Sequence, residues 1–441
     1  MNSDTASSSG PTTEVERAVL AHIEQNEGAL FDLLETLVRF RTPNPPGGNE
    51  QAAQDWVEEQ FRALELETDR WDVLPSRPNV VGIWRGEGDG PTVTLNGHVD
   101  VCEDQLLDQW SSDPYDPVVD GRDLVGRGST DMKSANASFM FAIEALKRHG
   151  VRLEGDVFVH SVMGEEAGEP GTRSAIERGY GGDFAIVGES TSGRDLVACI
   201  GVMNCRISIV AEKSLHFSAR RFLLNPGGKL EGGNCIEKMA LRIVPALADL
   251  EREWHVFKTH DLVPDGGTNI NVFRIEGGTS TFMLPERCDA YVTVTYLPDE
   301  KKDDVIQQIE EHVARASALD GWLRKHPPTI EWLPEEYPVE FLPSDVDIDS
   351  EAVQTLLSSI RAASGQEPQI GGRGGITDAG WFAQAGIPTV VYGPGDVTQA
   401  HRIDERVHLD DVVNHCKATA LFLLRHGGLS NTNMSEHKTK E

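Results

Sequence analysis

Apolar runs of β type alternate with amphipathic helical stretches along this chain, and a chain patterned so can bury its strands only as a sheet covered by helices. TVTLNGHVDV (92–101) is followed by a helical run over 132–149, then by DVFVHSVM (156–163) and DFAIVG (183–188). The pattern returns late in the sequence as a helix near 351–363, the strand PTVVYG (388–393) and the helix VVNHCKATALFLLRHG (412–427). Gly427 and Gly428 make a natural helix stop.

The middle differs. GVMNCRISIVAE (201–212) and RCDAYVTVTYLP (287–298) alternate apolar and polar residues, as in a sheet with one wet face, and helical stretches at 235–250 and 303–318 accompany them. At 441 residues the chain is long enough for two domains. The expected class is therefore α/β: 14–200 and 321–428 form a discontinuous catalytic domain with a central mixed sheet flanked by helices. An α+β domain is inserted at 201–320, and 1–13 and 429–441 are disordered polar tails.

Charge and cysteine usage narrow the partners. The net charge of −31 comes from 71 acidic against 40 basic residues, only 12 of them lysine, so a polyanion is repelled and no nucleic acid is expected. Such an acidic, lysine-poor surface suits a halophilic protein in a salt-rich cytoplasm. The six cysteines are scattered with no Cys-x-x-Cys pair, so neither a zinc knuckle nor a disulfide scaffold is suggested. MNSDTASSSGPTTEVE lacks the basic and apolar runs of a secretory signal, and no apolar run approaches the ~18 residues of a membrane span. Cytoplasmic residence without a membrane partner is expected.

The chemistry-bearing residues sit where the strand runs end. His98 and Asp100 are two apart in an extended segment and so face the same way. Asp131 follows a glycine-rich loop, GRGSTD (126–131), at a helix start, where it could equally be an N-cap. Glu165 and Glu166 follow the strand 156–163, Glu189 follows 183–188, and His401 lies in the loop after 388–393. Two histidines with three carboxylates are the donor inventory of a dinuclear zinc site, because imidazole and carboxylate both suit Zn²⁺ and one carboxylate can bridge.

With GHVDV, GRGSTDMK, GEE and HRIDE occurring in this order, the chain resembles, from 38 to 423, the zinc-dependent amidohydrolase and exopeptidase family. That family includes acetylornithine deacetylase, succinyl-diaminopimelate desuccinylase, aminoacylase and glutamate carboxypeptidase. The resemblance implies a zinc-exopeptidase-like fold with two Zn²⁺ per chain, for which Co²⁺ can substitute. It implies that His98 and Glu189 hold one zinc, Glu166 and His401 the other, with Asp131 bridging, Asp100 orienting His98 and Glu165 as general base. It also implies that His216 in the inserted domain reaches a partner subunit's site and stabilises the oxyanion, the chain being a homodimer through that domain. The resemblance further implies that Asn269, and Gly375 in the loop GGITD, contact substrate.

The activity implied is removal of an acetyl, succinyl or formyl group from a small N-acyl, amino-acid-like substrate; the alternative is a di- or tripeptidase or carboxypeptidase with the same metals. Many relatives clamp the substrate α-carboxylate with an arginine in an Arg-x-x-Pro segment of the inserted domain. Here 292–298 reads VTVTYLP without arginine. Either Arg373 supplies the clamp or the substrate lacks that carboxylate. A scaffold that had lost its metals would not be expected to keep Glu165 and all five ligands.

Overall fold

The structure, a computed structural model, describes residues 13–430 apart from 169, 194, 213–215, 218–232, 264 and 374–375. It divides into two compact units: one takes the chain to Val197, then Asp345–Gly371 and from Thr377 onward, the other Ala198–Ser344 and Gly372–Ile376. Apart from Thr13, Leu429 and Ser430, the tails expected at 1–13 and 429–441 lie outside the described residues.

The first unit is built on an eight-stranded sheet in the order Glu67–Leu74, Arg77–Trp84, Val157–Val162, Val93–His98, Phe184–Val187, Thr389–Val391, Asp195–Cys199, Gln369–Arg373. Its centre is parallel: Leu95 of Val93–His98 lies level with Val159 on one side and Ile186 on the other, and Val390 is level with Ile186. The first two strands form an antiparallel hairpin added to that centre, which makes the sheet mixed. Val93–His98 and Val157–Val162 are buried along their whole length, polar Thr94, Asn96, His160 and Ser161 included.

Helices cover both faces. Glu14–Gln25, Glu27–Arg39, Lys133–Arg148 and Leu409–His426 contribute Leu34, Phe139, Phe141 and Phe422 to one large core that also takes Leu95, Phe184 and Ile186 from the sheet. Each such aromatic or leucine, fully removed from water, contributes roughly 1.5–3 kcal/mol. On the opposite face Val81, Ile83, Phe158 and Val162 pack with Ala175 of Gly171–Glu177. The first helix starts where its sequence directs: Thr13 Oγ1 accepts from Glu16 N at 3.1 Å while Glu16 Oε2 accepts from Thr13 N at 2.6 Å, a reciprocal cap.

In the second unit Gly201–Val210 pairs antiparallel with Arg287–Tyr296 and with Thr329–Trp332 and Glu340–Phe341, and Ile270–Gly277 forms the edge beyond Arg287–Tyr296. Its alternating apolar set, Cys205, Ile207 and Ile209 with Ala290, Val292 and Val294, packs under Val244–Phe257 and Lys302–Ala318. Two sequence expectations need correction here. The insert closes at Ser344 and not at 320, because the two short strands after 320 pair with Gly201–Val210 and not with the first unit's sheet. The face expected to be wet is largely covered: Arg206 pairs with Glu331 and Glu336, and Ser208 Oγ donates to Asp289 Oδ1 at 2.5 Å, so charged side chains lie across it.

Candidate active site

Parallel strands deliver their following loops to one end of a sheet, and that end collects the chemistry of the first unit. His98 is the last residue of its strand, Glu165 and Glu166 form a short 3₁₀ turn after Val157–Val162, and Glu189 lies just beyond Phe184–Val187. Asp131 precedes the helix Lys133–Arg148, and His401 follows the 3₁₀ turn Val397–Gln399 with φ of 61°, a left-handed conformation sparsely populated by non-glycine residues.

Asp131 stands between two imidazoles. Its Oδ1 is 3.2 Å from His98 Nε2, and its Oδ2 is 3.3 Å from His401 Nε2. Glu189 Oε1 closes on His98 Nε2 at 3.1 Å and Glu166 Oε2 on His401 Nε2 at 2.9 Å. Glu165 Oε2 stands farther off, 3.8 Å from His98 Nε2. His98 Nδ1 donates to the Asp100 carbonyl at 2.9 Å, which turns Nε2 toward the carboxylates, the orientation usual for a metal-ligating histidine.

The cluster is electrostatically overloaded. Burial pushes the Glu165 carboxyl well above the usual range, against His98 and with Glu189, Asp378 and Glu166 adding to it. Burial also raises Glu166 to about 7, with Asp131 reinforcing the shift. Asp131 and Glu166 hold His401 up at about 11. Four carboxylates confined with two imidazoles want positive charge, and Glu166 Oε1 is buried with no hydrogen-bond partner among the described residues. Among the described residues, the groups able to hold an ion include His98–Glu165–Glu189, His98–Asp131–Glu166 and Cys102–Glu166–His401. The donor set fits a pair of divalent cations.

Three residues outside the sequence-derived set hold this arrangement. Glu405, fully buried, accepts from Thr130 N at 2.9 Å and Asp131 N at 3.1 Å and pairs with Arg127 at 2.7 Å; the Arg127 guanidinium lies 5.0 Å from the Trp110 ring centroid. Asn136 Nδ2 donates to the His98 carbonyl at 2.7 Å, and Gly97 makes room for it, since a Cβ there would sit 1.9 Å from Asn136 Oδ1. Buried Asp378 accepts the Thr172 hydroxyl at 2.7 Å, and Thr172 accepts from Asn96 at 2.8 Å. Glu405 and Asp378 close the motifs HRIDE and GGITD, and that position was the available signal. Replacing Glu405 with alanine strands the buried Arg127 charge, so unfolding by denaturant should show a loss of about 3–5 kcal/mol. A loss under about 1 kcal/mol would mean the pair does not hold the Asp131 loop.

Asp100 does more than face His98. Its carboxylate accepts from Gly164 N at 2.9 Å, Glu166 N at 3.2 Å and Asn44 Nδ2 at 3.0 Å, so it fixes the turn that presents Glu165 and Glu166. His216 and Asn269 belong to the second unit. His216 is exposed, bridges to Met283 and lies 4.6 Å from the Phe217 ring, whereas Asn269 N–H donates to Thr295 Oγ1 at 2.6 Å. Gly375 lies outside the described residues, as does the side chain of Arg373, the last residue of Gln369–Arg373.

The sequence model of peptidase family M20/M25/M40 matches residues 94–425. The chain is 36% identical over 408 residues to the N-formyl-4-amino-5-aminomethyl-2-methylpyrimidine deformylase of Bacillus subtilis, covering 91% of this chain and 95% of that one. It is 27% identical over 410 residues to the succinyl-diaminopimelate desuccinylase of Leptothrix cholodnii, covering 90% and 96%. Its fold resembles that of an M20-family metallo-carboxypeptidase from Sulfolobus solfataricus, with a TM-score of 0.69 at 19% identity over 89% of this chain and 98% of the other.

Proposed function

Since this chain belongs to peptidase family M20/M25/M40, we propose that it is a two-metal amidohydrolase that removes the formyl group from an N-formyl aminomethylpyrimidine. The single observation that carries the catalytic part is the division of Asp131, one carboxylate oxygen toward His98 and the other toward His401. The substrate part is supported by the higher identity to the deformylase than to the desuccinylase. It is in keeping with 292–298, VTVTYLP, which lacks the arginine that the family resemblance would place there to clamp a carboxylate. An aminopyrimidine has no α-carboxylate to clamp.

Two zinc ions, with Co²⁺ able to substitute, would be held by His98 and Glu189 on one side and His401 and Glu166 on the other, with Asp131 shared. Bound there, they would polarise the formyl carbonyl and acidify water. Glu165, which stands farther from His98 Nε2 than Glu189 and Asp131 do, takes a proton from the attacking water and returns it to the departing amine nitrogen. Its burial suits both duties, because a carboxyl with raised proton affinity accepts readily and holds the proton away from bulk water. The C–N bond breaks, formate takes the new oxygen, and the amine leaves protonated. A hydrolysis screen with purified zinc- or cobalt-loaded protein tests this: formate release from the formyl aminopyrimidine supports it, and inertness toward that compound rejects it.

The second unit supports a homodimer. Its edge strand Ile270–Gly277 exposes Phe273 and Ile275, and Leu241, Val256, Phe257 and Phe282 are exposed on the same unit. A second copy would cover such an edge, and His216 would then serve the partner's oxyanion. Mixing inactive His216→Ala with inactive Glu165→Gln under subunit exchange should restore part of the activity, because one hybrid site carries both residues. Hybrids that stay inactive despite exchange would leave His216 without that role. The six cysteines, none of them in a disulfide among the described residues, support a reducing compartment, so we propose a cytoplasmic location, and the acidic surface supports a saline one. No helix among the described residues is long and apolar enough to cross a membrane.

A further inference from the structure

We propose that Cys102 is a thiolate ligand of the ion on the His401 side, so that the two metal positions differ in chemistry and in affinity. This rests on the two-metal reading and adds a donor to it. The Cys102 sulfur, a Glu166 carboxylate oxygen and a His401 ring nitrogen all lie within 4.8 Å of one another. Cys102 is buried, two residues beyond Asp100, whose carboxylate fixes the Glu166 backbone at 3.2 Å, so the strand end that positions Glu166 also positions the sulfur. Glu166 supplies an independent sign of a missing partner: its side chain is 4% exposed, one oxygen meets His401, and the other is buried without a hydrogen bond among the described residues.

Donors around a four-coordinate zinc stand roughly 3.5 Å apart for bonds of about 2.0–2.3 Å, so a small closure around an ion completes the set. With Asp131 Oδ2 at 3.3 Å from His401 Nε2, that side then offers sulfur, nitrogen and two carboxylates. The His98 side offers nitrogen and oxygen among the described residues, from His98, Asp131 and Glu189. A soft thiolate favours Zn²⁺ and its thiophilic relatives over Mg²⁺ or Mn²⁺. The balance is simple: the thiol proton leaves to solvent as the sulfur–metal bond forms, with no change of oxidation state. The His401 side therefore keeps its ion when the His98 side has lost its own.

The test is cobalt substitution of the full chain. Metal-free protein reconstituted with Co²⁺ should show a sulfur-to-cobalt charge-transfer band in the near ultraviolet beside its visible bands. Cys102→Ser should lose that band and bind the tighter of its two ions more weakly, by at least the ~10–100-fold seen for loss of an outer partner. The other five cysteines belong to no ion-holding group among the described residues, so the band reports Cys102. X-ray absorption on zinc-loaded wild type, which needs no variant, should show one sulfur per two zinc ions at about 2.3 Å. Two cobalt ions per chain with neither band nor sulfur scatterer would overturn the thiolate and leave the two-metal reading standing. Failure to retain cobalt at all would overturn both.

Discussion

Glu165→Gln lowers kcat by about 10²–10⁴-fold while metal content stays at the wild-type level. The amide keeps the size and most hydrogen-bonding capacity of the carboxylate but cannot take a proton from water. The split between turnover and metal content follows from distance: Glu189 and Asp131 approach His98 Nε2 at 3.1 and 3.2 Å, whereas Glu165 stands at 3.8 Å. Two carboxylates therefore occupy the His98 position ahead of it, and its turn is held by Asp100, which the substitution leaves untouched. Elemental analysis beside steady-state kinetics checks the split. Loss of metal together with turnover would assign Glu165 to the ion and give Glu166 the proton-handling duty.

Asp131→Ala has the widest reach, because both ions lose a donor at once. Each Asp131 oxygen faces a different imidazole, His98 Nε2 at 3.2 Å and His401 Nε2 at 3.3 Å. Affinity for each ion should fall by more than the ~10–100-fold typical of an outer partner, and less than one metal per chain should survive dialysis. Folding should persist, since Glu405 binds the loop through the backbone N–H groups of Thr130 and Asp131, which alanine retains. Calorimetric titration with Zn²⁺ reads this directly. Two ions bound at wild-type affinity would show that Asp131 does not bridge.

Much of this site was legible in the sequence because its donors sit at strand ends, and strand ends are marked by a change of local pattern. The apolar run before His98 and the two-residue period that carries Asp100 are local features, as are the run before Glu165 and the one before Glu189. Glu405 was not legible as a support, because its partner Asp131 lies 274 residues away and no periodicity links them. Asn136 was hidden for a related reason: it lies inside Lys133–Arg148, where it reads as one polar residue among buried ones. The end of the inserted unit was misplaced because Thr329–Trp332 and Glu340–Phe341 are too short to show alternation, and only their pairing with Gly201–Val210 assigns them. Cys102 read as a structural thiol, and only its proximity to Glu166 and His401 gives it another use.

The most direct test of the proposed chemistry is a comparison of kcat/KM for N-formyl-4-amino-5-aminomethyl-2-methylpyrimidine and N-succinyl-diaminopimelate on the zinc-loaded protein. Formate release should exceed succinate release by at least about 10²-fold, a margin a pocket built for one small substrate can supply. Preferential succinate release, or no formate with either zinc or cobalt bound, would contradict the deformylase reading.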